Sequence, residues 1–257
     1  MNEVLKKQLD DAVGLYNNKA FIADDPICIP HRFERKEDIE ISGFLTALLA
    51  WGQRKTIINK ANVLMKKMDN EPFLFITQAP EATIGQLDDF VHRTFNGDDC
   101  ITLIHALRQI YLEHGGLETV FSKGFKIGGA YEAIEDLHQL VFSYPHLDRT
   151  RKHLARPSAG SAAKRINMFL RWMVRHDKKG VDFGLWNTIS PSALICPLDV
   201  HSGNTARKLG LLSRKQNDWQ AALELTQNLR IFDPNDPVKY DFALFGTGVS
   251  HAAFPYL

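Results

Sequence analysis

The sequence predicts an all-α protein, on three observations. Apolar residues recur at three- and four-residue spacing along most of the chain, strand-like alternation is almost absent, and the periodic segments are bounded by residues that start or end helices. In chain order these segments cover residues 39–51, 57–68, 101–112, 130–142, 162–173, 219–229 and 238–245. Asp98 and Asp99 precede the third segment, and Gly115 and Gly116 stop it after His114. Asp236 and Pro237 read as the cap and first-turn proline of the last helix. The polar stretch 176–192 has no such period and reads as an insertion between two functional pieces.

At 257 residues the chain suits one large compact unit or two lobes, with enough apolar residues for a core. No run of 18 apolar residues is present, and the opening MNEVLKKQLDDAV is amphipathic without the core of a signal peptide, which predicts a cytoplasmic protein with no membrane partner. The cysteines, Cys28, Cys100 and Cys196, are too few and too scattered for a disulfide framework, and no pair has zinc or iron–sulfur spacing. Neither a metal nor another cofactor is expected.

Charge is close to balanced overall, at +1, but unevenly distributed. From 149 to 175 the chain carries eight cations (Arg149, Arg151, Lys152, Arg156, Lys164, Arg165, Arg171 and Arg175) and no acid, leaving 23 cations against 30 acids elsewhere. A basic stretch on an otherwise acidic chain fits either a face that binds a polyanion or a solvated helix face.

Three segments carry residues suited to chemistry. Residues 48–61, LLAWGQRKTIINKA, run from an apolar helix end through a polar turn into a second helix. Residues 157–168, PSAGSAAKRINM, form a small-residue turn that opens a helix with Lys164 in its first turn, and residues 197–210, PLDVHSGNTARKLG, place Asp199 at a helix start. A turn without bulky side chains lets backbone N–H groups at a helix start approach a phosphate directly, here around Gly160 and Ser161. An amine such as that of Lys164 attacks a sugar C1′ only when neutral, and a carboxylate such as Asp199 steadies an oxocarbenium-like transition state. Taken alone, Lys164 is a surface helix lysine, Asp199 an N-cap, His201 a helix-surface histidine, and Trp51 and Trp172 core aromatics.

Taken in order, the segments resemble the endonuclease III superfamily of helix-hairpin-helix DNA glycosylases. Residues 48–61 resemble its early leucine-rich helix, turn and Asn-Lys-Ala helix start; residues 160–164 resemble the end of its hairpin; residues 198–201 resemble its hydrophobic-Asp-Thr-His motif; and 241–248, DFALFGTG, is similar to its closing helix. The strings KRINMFLRWMVR and DPVKYDFALFG also resemble a bacterial family of conserved proteins with no assigned activity. Only Gly160 of the usual Gly-x-Gly hairpin is kept, Val200 replaces the motif threonine, Asn204 stands where arginine is common, and no iron–sulfur cysteines follow. Lys164 and Asp199 are 35 residues apart, closer to the archaeal 8-oxoguanine glycosylases than to endonuclease III.

The resemblance implies two helical lobes with a helix-hairpin-helix element and a cleft between them, one lobe from 38 to 176 and the other combining 1–37 with 177–257. It implies a base-excision glycosylase, with apurinic-site lyase activity, acting on damaged double-stranded DNA such as an oxidised purine. Lys164 is then the nucleophile and Asp199 its carboxylate partner. Gly160, Ser161, Arg165, Arg171 and His201 contact DNA, Gln53 or Arg54 fills the vacated base stack, and Trp51 and Trp172 form the base pocket. Two rival readings stand beside it: a DNA-binding module of the same fold without catalysis, and a helical protein with no nucleic-acid role.

Overall fold

A computed structural model describes residues 3–250, with side chains for 3–248. The chain is all-α among these residues: twelve α-helices and short 3₁₀ turns, with a single isolated bridge between His92 and Phe95. None of the described helices is long and apolar enough to cross a membrane. The chain divides into two compact units, Asp24–Ala155 and Met1–Ala23 with Arg156–Leu257. The break at Arg156 leaves the small-residue turn and its helix in the same unit as the C-terminal residues.

The Asp24–Ala155 unit holds six helices: α3 (Lys36–Leu49), α4 (Arg54–Lys67), α5 (Pro72–Gln78), α6 (Glu81–Gly85), α7 (Gly97–Glu113) and α8 (Leu117–Val141). α3 is buried from Asp38 to Leu49, and its two buried acids are bonded, Asp38 accepting from Phe73 N–H at 2.8 Å and Glu40 from the Tyr111 hydroxyl at 2.6 Å. α7 starts one turn earlier than its apolar period suggests. Asn96 caps it, and Asp99 returns a bond from the Asn96 N–H to complete a capping box, so Asp99 is the box's second member rather than the cap. α8 is broken by Gly128 and Gly129, the latter with φ of 71°, and its two halves approach so closely that a Cβ at Gly124 would overlap the Ala133 backbone.

Asp99 also anchors a buried polar cluster in this unit. It accepts from Thr150 Oγ1 at 2.7 Å and lies 3.1 Å from the Arg149 guanidinium and 3.2 Å from His153 Nε2. His153 in turn stacks on Trp51, with centroids 5.9 Å apart, while His92 meets the same indole edge-on at 4.7 Å. Burial pushes the His92 imidazole below its usual range, so it packs there as a neutral ring.

The other unit combines α1 (Glu3–Tyr16) and α2 (Lys19–Ala23) with α9 (Lys164–Val174), α10 (Val200–Lys208), α11 (Trp219–Phe232) and α12 (Asp241–Ser250). Asp236 and Pro237 open a 3₁₀ turn, Pro237–Tyr240, that runs into α12, and the Asp236 side chain makes no cap. It pairs instead with Arg175, at 2.9 Å. α12 packs on both α1 and α10 because its glycines permit it: a Cβ at Gly246 would overlap the Tyr16 ring, and one at Gly248 would sit 3.0 Å from the His201 carbonyl oxygen. Gly246→Ala is therefore expected to cost about 1–3 kcal/mol through overpacking, read as a lowered midpoint in urea with an unchanged slope.

Segment 176–192, expected to be an insertion, is tied to α9 by its middle. Phe183 N–H donates to the Trp172 carbonyl at 2.8 Å and Trp186 N–H to the Met173 carbonyl at 3.0 Å, satisfying carbonyls at the end of that helix. Val181, Asp182 and Trp186 are buried.

Candidate functional site

The approach to α9 is set by its turn. Pro157–Ala159 forms one 3₁₀ turn, Gly160 follows with φ of 78°, and Ala163 takes a left-handed conformation, φ 46°, as the residue before the helix. That geometry is costly for alanine, of the order of 1–2 kcal/mol. Two side chains hold it: Ser161 Oγ accepts from Ala163 N–H at 3.0 Å, and Asn167 Nδ2 donates to the Ala162 carbonyl at 3.0 Å. No side chain caps α9, whose first residue is Lys164.

Asp199 is the N-cap of α10 and divides its two oxygens between two tasks. Oδ1 accepts from Ser202 N–H at 2.9 Å while Ser202 Oγ accepts from Asp199 N–H at 2.9 Å, a full capping box. Oδ2 lies 3.9 Å from Lys164 Nζ. Lys164 and Asp199 are each about a quarter exposed, so the pair is reachable from solvent without being fully hydrated. The Lys164 amine also touches Met168 Sδ at 3.5 Å. Asp199→Asn keeps an oxygen for the Ser202 N–H and is expected to leave the melting temperature nearly unchanged. Calorimetry of the variant checks it.

Behind this pair lies a buried ionic network. Arg171, 4% exposed, reaches Asp182 at 3.2 Å and forms a short bond to Asp241, with Phe242 beneath its guanidinium at 4.3 Å. Arg175, 2% exposed, binds Asp177, Asp182 and Asp236 at 2.8–3.0 Å. Asp177 takes a further bond from Asn17 Nδ2 at 2.6 Å, joining α1 to the network. Burial drives the Asp241 carboxyl up to about 6; Arg171 and Lys164 pull it down, and Asp199 pushes it further up. The Cys196 thiol, fully buried and raised well above its usual range by burial, feels Asp241, Arg171 and Asp199 together.

The structure brings together some of the expected site residues and separates others. Lys164, Asp199, Gly160, Ser161, Arg165 and His201 share one unit, with His201 exposed in the first turn of α10 and Arg165 half-buried, its guanidinium lowered by burial to about 10 and still charged at neutral pH. Two expectations in this unit need correcting. Arg171 spends its donors on Asp182 and Asp241 and is closed to solvent, so it holds the fold instead of touching DNA. Trp172 is fully buried with its indole N–H unpaired, which makes it a core side chain and not a wall of a base pocket. Trp51, Gln53 and Arg54 belong to the Asp24–Ala155 unit. Gln53 precedes α4 and is exposed, Arg54 is its first residue, Gly52 takes φ of 102°, and Trp51 is half-buried with its ring engaged by His92 and His153.

Asp182 and Asp241, the buried acids that hold Arg171, are residues that motif reading passes over. Their signal is local: each is a lone acid between large apolar residues, Val181 and Phe183 or Tyr240 and Phe242, a pattern that buries a charge only where a cation waits. Among the described residues no group of three or more His, Cys, Asp or Glu side chains could hold a metal ion.

The fold and the Lys–Asp pair describe an all-helical protein with an amine beside a carboxylate at two helix starts. Residues 25–250 match the family model described as a protein of unknown function, DUF2400, and the chain belongs to that family. No curated protein and no solved structure matches it.

Proposed function

We propose that this protein is a base-excision DNA glycosylase with apurinic-site lyase activity on damaged double-stranded DNA. The observation that carries the reading is the pairing of Lys164 Nζ with the uncommitted oxygen of Asp199 at 3.9 Å, at the start of a helix that no side chain caps. In this reading the turn from Pro157 to Ala163 is the hairpin of a helix-hairpin-helix element, and the start of α9, which no side chain caps, receives a DNA phosphate. Lys164, once neutral, attacks C1′ of the flipped nucleotide; the Asp199 carboxylate steadies the positive charge that develops on the sugar. The guanidinium of Arg165, next along α9, supplies local positive charge.

Borohydride trapping on a panel of abasic and lesion-bearing duplexes tests this. A covalent protein–DNA adduct on at least one duplex is expected. Salt-sensitive binding without any adduct would support a DNA-binding module instead, and no salt-sensitive binding at all would support a helical protein without a nucleic-acid role.

A further inference from the structure

We propose that Met168 is a positioning residue for the Lys164 amine, its thioether holding Nζ beside Asp199 whether or not the amine carries its extra proton. The inference rests on the glycosylase reading for its chemistry, and on two distances for its placement.

Met168 lies one turn along α9 from Lys164, and a helical side chain covers the turn before its own Cα, so the thioether reaches back to the level of the lysine. Sδ sits 3.5 Å from Nζ. Met168 is buried while Lys164 is about a quarter exposed, so the sulfur is the fixed partner and the amine the movable one. Among the described residues the amine has one other partner within ion-pair distance, Asp199 Oδ2 at 3.9 Å. That separation is too long for a hydrogen bond, and Asp199 Oδ1 is taken up by the Ser202 N–H and hydroxyl at 2.9 and 3.2 Å. Asp199 therefore draws the amine from α10 by charge alone.

The two contacts respond differently to the loss of a proton. The amine attacks C1′ only when neutral, and in that state the charge–charge pull of Asp199 is gone. A thioether is uncharged, polarisable and a weak acceptor, so its contact depends little on the charge of the nitrogen. An oxygen acceptor in its place would hold the ammonium more strongly than the amine and would oppose the proton loss that the reaction needs. With the sulfur beside it, the neutral nitrogen stays at the start of α9, next to the carboxylate that steadies the sugar, and an attack that depends on distance and angle keeps its geometry.

The test is NMR relaxation of lysine side-chain carbons in the full chain, which reads how well the Lys164 Cε methylene is ordered, its signal assigned by its loss in Lys164→Gln. That order is expected to persist in Asp199→Asn, which removes the charge. In Met168→Leu, which removes the sulfur, it should fall to the level of an exposed lysine such as Lys123. Leucine is close to methionine in volume, so the fold should survive, and Met168→Ile is the second variant if it does not. Order lost in Asp199→Asn would show that the charge holds the amine, and order kept in Met168→Leu would show that the sulfur does not; either result would overturn the inference. A second readout is the single-turnover rate of adduct formation at saturating DNA, expected to fall roughly tenfold or more in Met168→Leu with an unchanged dissociation constant for DNA. An unchanged rate in the folded variant would also overturn the inference. If the wild type traps no duplex, the glycosylase reading fails by itself, while the relaxation measurement still decides whether Met168 holds the Lys164 amine.

Discussion

Arg175→Met is expected to destabilise the fold by about 3–5 kcal/mol, because it leaves three carboxylates that converge on one buried guanidinium without their counter-charge. For a chain of this size each kcal/mol moves the melting temperature by about 2–4 °C, so a fall of roughly 6–20 °C is expected by calorimetry. Asp182 suffers most, since its side chain is wholly buried and Arg171 alone would remain to it. The methionine matches the aliphatic part of the arginine, so lost packing is a minor share of the effect. A shift within about 1 °C would mean that the network is hydrated and contributes as little as surface pairs do. The same physics makes charge reversal at Arg171 a poor probe of DNA binding, since it would unfold the site before reporting on any phosphate.

Lys164→Gln is expected to abolish adduct formation while changing the melting temperature little. The lost ion pair is 3.9 Å long and about a quarter exposed on both sides, a contact worth at most about 1 kcal/mol. Glutamine has similar helix propensity and length, so α9 should form as before. DNA affinity should fall only modestly, because Arg165 and the uncapped helix start remain. Retained trapping would put the nucleophile on another amine.

Most of the helices were legible because their apolar residues recur at three- and four-residue spacing, the period of an α-helix. Boundaries were less so. The cap of α7 is Asn96 and not the Asp98–Asp99 pair, since the Asp99 N–H donates to the Asn96 side-chain oxygen. α8 is broken at Gly128 and Gly129, and only its second half falls within the apolar segment 130–142; the first half, from Leu117, lies outside every periodic segment. At the site, Lys164 and Asp199 could be paired from a motif order alone, across 35 residues of sequence. What the motif could not supply was solvent access. Arg171 and Trp172 lie in the same run of cations and aromatics as Arg165, yet α9 is buried at every position from Ile166 to Val174, and there Arg171 meets Asp182 and Asp241. The basic run from 149 to 175 is thus divided: part is exposed, and part neutralises buried acids that lie far away in the sequence.

The most direct test of Lys164 as a nucleophile is peptide mapping of the borohydride-reduced adduct formed on abasic or lesion-bearing duplex DNA. The reduced imine is expected on the peptide containing Lys164, with no adduct from Lys164→Gln under the same conditions. An adduct mapped to any other residue, or none on every duplex tried, would contradict the assignment.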